Sequence, residues 1–261
     1  MFAVVSDIHS NIEAFSVVLE DIKSKEIDTI YCLGDIVGYG PNPLECTRLV
    51  QQNCKFSIVG NHDFALVENS TYGFNKTASG AIDYCRKVMF PGFFSFLNDK
   101  KKLWEFLKEM KKVEVVDNFK FVHGSPLDPV FEYVRLEDTE HLGFGYTLDF
   151  ENMFKEFEHV CFNGHTHQPL VIIQEETEYK GYKPEDINGE YQIKEGVKAL
   201  INAGSVGQPR DCNPQACYLT IDDNQLVKFN RLDYDVDKTA KKILDEPGLD
   251  DKLGHRLFLG E

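Results

Sequence analysis

The chain has 261 residues, with 43 acidic against 28 basic side chains and a formal charge of −15. At this length one α/β domain buries roughly 70–75% of its unfolded surface, so a full core needs no disulfide staples. The negative field excludes tracking of a long nucleic-acid backbone, and the lack of an eighteen-residue apolar run excludes a helical membrane span.

Phe2 to Ser6 reads as a buried parallel strand that ends in Asp7-Ile8-His9. Ser10 or Asn11 can cap the next helix, which runs to about Lys25 with Phe15, Val18, Leu19 and Ile22 on one face. Thr29 to Leu33 is the second strand and delivers Gly34-Asp35. A βαβ unit of this kind has parallel strands and a right-handed crossover, which sets Asp7 and Asp35 at the sheet edge where open α/β sheets bind ligands. Asn42 and Pro43 start a helix ending near Asn53, and Phe56 to Val59 is a third strand leading into Gly60-Asn61-His62-Asp63. Residues 64–112 carry little β signal. They predict helices near Lys76–Met89 and Asp99–Lys112, a cap-like insertion whose lysines (Lys100, Lys101, Lys102, Lys108, Lys111, Lys112) read as a solvated face. Phe90-Pro91-Gly92-Phe93-Phe94 is either core or a loop that lays aromatics near the strand ends.

Val113–Val116 and Phe119–Val122 flank Asp117-Asn118 as a hairpin that ends in His123-Gly124. Residues 127–147 are loop-like, and Leu148–Glu158 is a helix. Val160–Phe162 is a strand feeding Asn163-Gly164-His165-Thr166-His167, and Leu170–Ile173 is the next. The polar stretch 174–196 suggests a protruding hairpin. Val197–Ile201 is a strand that opens into a glycine-rich loop reaching Arg210 and Asp211. Cys217–Ile221 and Leu226–Leu232 pair about Asp222-Asp223-Asn224, and Val236–Glu246 is a closing helix; the stretch beyond Pro247 carries no signal. With no repeat and no linker, 1–261 reads as a single domain, and a homo-oligomer is left open. The seven scattered cysteines lack CxxC spacing, and Phe2-Ala3-Val4-Val5 is too short and lacks the basic flank for a signal peptide. Free thiols in a cytoplasmic protein are therefore expected.

Five strand ends thus bring Asp7, His9, Asp35, Asn61, His123, His165 and His167 towards one place. Residues two apart share a face, so Asp7 with His9 and His165 with His167 point together. Taken singly each has an ordinary reading: a capping Asp, an Asn turn, a core histidine. Jointly they supply enough oxygen and nitrogen donors for two divalent ions, with Asp35 the carboxylate best placed to be shared; Mn, Fe, Zn and Ni all suit such donors. Two such ions would invert the local potential and admit a small phosphorylated substrate. His141, His159 and His255 have no such context.

Asp7-Ile8-His9, Gly34-Asp35, Gly60-Asn61-His62-Asp63, His123-Gly124 and Gly164-His165-Thr166-His167 resemble the five ordered motifs of the calcineurin-like metallophosphoesterases, from the first strand to about residue 210. The resemblance implies a four-layer α/β/β/α sandwich with a central pair of mixed β-sheets and two metal ions at the sheet edges. It implies one ion held by Asp7, His9, Asp35 and His167, and a second by Asp35, Asn61, His123 and His165. His62 would be the catalytic histidine near the leaving group. Ser/Thr protein phosphatases of this family carry Asp-Arg where this chain has Gly38-Tyr39, so the chain looks more like the small bacterial and archaeal phosphodiesterase-type branch. Arg210 is the candidate to supply the phosphate grip beside Asn61 and His62, a surface salt bridge being its alternative. The implied reaction is hydrolysis of a phosphodiester or small nucleotide-type substrate by a metal-bridging hydroxide, with acid help from His62 worth about 10²–10⁴-fold. A protein phosphatase, a metallonuclease and a catalytically silent scaffold are the rivals. The charge opposes the nuclease, and the intact set of His62 and seven ligands opposes the scaffold.

Overall fold

The computed structural model describes residues 1–92, 99–140 and 148–261. Phe93, Phe94 and His141 lie outside the described residues. The first half of the chain alternates strand and helix: β1 (Phe2–Val5), α1 (Ile12–Ser24), β2 (Ile30–Cys32), α2 (Pro43–Asn53), β3 (Phe56–Ser57), α3 (Asn61–Glu68), α4 (Lys76–Met89) and α5 (Lys100–Glu109). Then come β4 (Val113–Val116), β5 (Phe119–Val122), α6 (Phe150–Lys155), β6 (Val160–Asn163), β7 (Leu170–Glu175), β8 (Glu178–Tyr182), β9 (Glu190–Gln192) and β10 (Ala199–Asn202). The chain closes with β11 (Ala216–Ile221), β12 (Leu226–Leu232), α7 (Val236–Leu244) and α8 (Lys252–His255).

These strands make two six-stranded mixed sheets, ordered β3-β2-β1-β11-β12-β9 and β4-β5-β6-β10-β7-β8. Alternation along each strand decides which layer a side chain joins. Val4 on β1, Leu219 on β11, Phe162 on β6 and Ile201 on β10 face the other sheet and pack into one inter-sheet core, where the Phe121 and Phe162 rings stack at 5.4 Å. Their neighbours Ala3, Val5 and Tyr218 face outward and are covered by Phe15, Val50, Cys85 and Trp104 of the first helical layer. On the other side Cys161 and Leu200 are covered by Phe150, Met153 and Phe154 around α6. The result is the expected α/β/β/α sandwich. Full burial of each such aromatic or aliphatic side chain is worth about 1.5–3 kcal/mol.

β1, β2 and β3 run parallel in one sheet, and β5, β6 and β10 run parallel in the other. Their carboxyl ends release the loops that hold Asp7, Asp35, Asn61, His123, His165 and Arg210. The C-terminal part of α4 and the whole of α5 lie in the outer layer with Met89, Trp104 and Leu107 in its core, while Phe74, just before α4, stands 4.8 Å from the His62 ring. Residues 174–196 do not protrude as a unit. β8 pairs antiparallel with β7 at the edge of the second sheet, and β9 crosses over to pair with β12 in the first. Among the described residues no helix is long and apolar enough to cross a membrane.

Candidate active site

The loop after β1 continues beside the loop after β2: the amides of Asp7, His9 and Ser10 donate to the carbonyls of Gly34, Asp35 and Ile36. Gly34 sits at φ +93° where the third loop comes closest; a Cβ there would lie 2.4 Å from the Gly60 nitrogen. The turns are sharp enough to put Asp7, His9, Asp35, His165 and His167 in the left-handed region, with φ between 46° and 67°. Non-glycine residues adopt that region at a cost, and such positions concentrate at functional sites.

Four histidines, His9, His123, His165 and His167, are each oriented by a backbone carbonyl. Val37 O lies 3.0 Å from His9 Nδ1, Leu33 O 2.8 Å from His123 Nδ1, and Gln208 O 2.5 Å from His167 Nδ1. A carbonyl only accepts, so Nδ1 carries the proton and Nε2 is turned inward. His165 is held the other way, its Nε2 donating to Phe131 O at 3.1 Å, which leaves Nδ1 as its inward atom.

The inward atoms meet two carboxylates. Asp7 Oδ2 accepts from Ser6 Oγ and the His165 amide, while its Oδ1 lies 3.1 Å from His167 Nε2 and is buried without a hydrogen-bond partner. Asp35 Oδ1 accepts from the His62 amide at 2.8 Å, and Oδ2 lies 3.5 Å from His9 Nε2 and 3.4 Å from His123 Nε2. Asn61 Oδ1 is 3.2 Å from His123 Nε2. Two clusters result, Asp7-His9-Asp35-His167 and Asp35-His123-His165, each with its ligand atoms within 4.8 Å of one another, and Asp35 belongs to both. Burial pushes His9 and His167 below their usual range, so both rings are neutral at pH 7. Their Nε2 atoms nevertheless face each other at 3.1 Å, lone pair to lone pair. That arrangement, with the partnerless Asp7 oxygen, repels itself unless a cation sits among the donors, so these residues fit divalent metal.

His62 belongs to neither cluster. Its ring lies 4.4 Å from Tyr39 and 4.8 Å from Phe74 and from His9, and its buried Nδ1 has no partner. Gly38, at φ +95°, makes room for it, since a Cβ there would come within 2.3 Å of that nitrogen. Burial lowers the His62 pKa to about 4, with nearby Arg210 and His167 pulling the same way against Asp35. Arg210 has no carboxylate partner among the described residues. It donates to Gln208 Oε1 at 3.0 Å and stands 5.6 Å from the Tyr39 ring.

Several site residues escaped the sequence reading. Asp63 accepts from the amides of Ile36, Val37 and Gly60 at 3.1–3.3 Å and ties the second and third loops together. Burial and Asp35 push its pKa up to about 7 against those donors. An acid three residues into a helix is a capping signal, and that signal was available at Gly60-x-x-Asp63. Tyr133 lays its ring 3.9 Å from His165, and Tyr39 walls the opposite side 4.6 Å from His9; neither has a local sequence signal.

Residues 1–204 match the calcineurin-like phosphoesterase family. The chain is 38% identical to an uncharacterized protein of Methanocaldococcus jannaschii, over the whole of this chain and 98% of that one. It resembles a metallophosphoesterase structure from Sphaerobacter thermophilus with a TM-score of 0.80 and 31% identity, covering 100% of this chain and 98% of the other. A hypothetical protein from Pyrococcus horikoshii shares the fold at a TM-score of 0.72 and 20% identity, covering 100% and 99%. The chain therefore belongs to the calcineurin-like phosphoesterase family, as a metal-dependent phosphoesterase.

Proposed function

We propose that this protein hydrolyses a phosphodiester of small, nucleotide-type character at a centre of two divalent ions that share Asp35. The observation that carries the reading is the position of Asp35 Oδ2 between His9 and His123, at 3.5 and 3.4 Å, in both ligand clusters. In the proposed assignment Asp7, His9, Asp35 and His167 hold one ion, and Asp35, Asn61, His123 and His165 hold the other. Bound there, a metal pair lowers the pKa of water and offsets charge on phosphoryl oxygens, the chemistry an in-line displacement needs. The side chains supply the rest. Backbone carbonyls fix four rings so that the donors need no rearrangement. His62, neutral at pH 7, presents a ring N–H to the departing oxygen, and Arg210 faces the phosphate beside Tyr39.

Gly38-Tyr39 stands where protein phosphatases of this family carry Asp-Arg, which supports a diester over a phosphoprotein. The test compares turnover of bis-p-nitrophenyl phosphate and of a phosphopeptide with added Mn²⁺. Faster turnover of the diester is expected; a clear preference for the phosphopeptide overturns the assignment.

A further inference from the structure

Tyr39, which packs on His62, also lines a cavity of about 570 Å³, a size that accommodates a small-molecule group. Lys76 from the start of α4, and Lys252, His255 and Arg256 from the C-terminal segment, converge on it; Glu261 is the one acid in its lining, and Asp250, bonded to Thr77 at 2.8 Å, is the acid next nearest these cations. In a chain of charge −15 this is a local concentration of cations. Arg256 stands 4.6 Å from the Tyr39 ring, and its Nε and Nη2 are buried with no hydrogen-bond partner. Burial, with help from Arg210, lowers the Arg256 pKa to about 10, which still leaves it cationic at pH 7. Arg48 and Arg231, by contrast, pair with Asp99 and Asp211. A desolvated guanidinium with open donors costs free energy that a bound anion would offset. Arg210 flanks the same ring at 5.6 Å, and both arginines lie beyond residue 204, where the family match ends.

We infer that this pocket holds a second anionic group of the substrate, a phosphate set apart from the ester that is cut, with Arg256, Lys252 and Lys76 as its contacts and Tyr39 as the wall shared with the candidate metal centre. The guanidinium fork matches a phosphate bidentately, and the two lysines add charge at the mouth. The inference rests on the phosphodiesterase reading for the position of the scissile ester, and it narrows the substrate to a diester that carries a further free phosphate.

Two measurements test it. The first titrates inorganic pyrophosphate into metal-stripped protein, where turnover plays no part. The second compares two p-nitrophenyl diesters of one nucleoside, with and without a free phosphate on the remaining hydroxyl. The phosphate-bearing ester should show the lower KM. Arg256→Gln should weaken pyrophosphate binding about tenfold or more and raise the KM of the phosphate-bearing ester far more than that of the plain one. Arg256 packs on Tyr39, so a second variant is needed that carries no folding risk. The pair Lys76→Gln and Lys252→Gln sits at exposed positions and should weaken both readouts about threefold. Unchanged pyrophosphate affinity and an unchanged KM gap in both variants would overturn the inference, leaving Arg256 a clamp on Tyr39 while the diesterase reading stands. Weakened pyrophosphate binding with no turnover of either ester would support the pocket and remove the diesterase reading.

Discussion

The His62 amide donates to one oxygen of Asp35 while the other faces His9 and His123, so substitutions at these neighbours are read by different observables. Asp35→Asn removes the anion common to both clusters. Metal content should drop, and turnover should vanish with it, because two cations a few ångströms apart lose the charge between them. His62→Ala should keep its metal and slow hydrolysis of an alkyl ester by about 10²–10³-fold through loss of an N–H donor to the departing oxygen, with a smaller loss on a p-nitrophenyl ester, whose leaving oxygen gathers less charge. Metal analysis and turnover of both variants decide it. Metal loss in His62→Ala would make His62 a ligand. Full activity on the alkyl ester would make it structural. A proton also reports on His123. Burial pulls its pKa down, but Asp35 and Asp7 outweigh that and push it up to about 9. Metal-stripped protein therefore holds this proton at pH 7, a ligating Nε2 cannot, and metal binding should release it. Affinity should rise with pH up to about 9, with the proton count read by calorimetry in two buffers of different ionisation heat; no release would mean that no metal replaces that proton. The candidate ligands were visible in the sequence because each lies one to four residues past the end of an apolar strand. Tyr39 and Tyr133 were not assigned roles, because they pack on rings of remote loops that no local spacing encodes; for Asp63 the local cap on Gly60 was legible, but its bonds to the Ile36 and Val37 amides were not.

Loops and strands add a test of their own. Gly38 leaves room for the His62 ring, and its φ of +95° disfavours any side chain. Gly38→Ala should displace the ring, cut turnover about tenfold or more and leave metal content intact. In a His62→Ala background the same change should cost little more, since both act through one contact; additive losses would show that Gly38 matters for another reason. Element by element, what could be read from the chain follows the range of the interaction. The β4–β5 hairpin about Asp117-Asn118 and the Lys76–Met89 helix match their expected bounds, because turn chemistry and apolar periodicity are local. β3 is shorter than expected, since beyond Ser57 only an isolated bridge from Ile58 to Lys111 continues it. β9 was missed because its partner β12 is chosen by the other sheet. The segment after Pro247 was left unread although Leu249, Leu253 and Leu257 recur every four residues, a helical spacing, and they share a buried cluster with Tyr39 and Ala81.

Across the two sheets, the sandwich was implied by five ordered motifs, while the division of strands between sheets was not, since parallel strands of either sheet share one hydrophobic pattern. That division has a kinetic consequence. Asp7 and His9 come from the first sheet and His165 and His167 from the second, with His9 and His167 separated by 158 positions. Their left-handed turns are costly for non-glycine residues and need the contacts of both sheets to offset that cost, and closing so long a loop precedes any reward from the contacts it brings. The centre should thus be absent from the transition state for folding. Divalent metal at about a hundred times its dissociation constant stabilises the native state by about 2.7 kcal/mol, and for a site formed late this appears entirely in the unfolding limb. Stopped-flow refolding with and without Mn²⁺ should give the same rate, while unfolding slows about a hundredfold for each ion bound. Refolding accelerated by metal would instead place the centre in the folding nucleus.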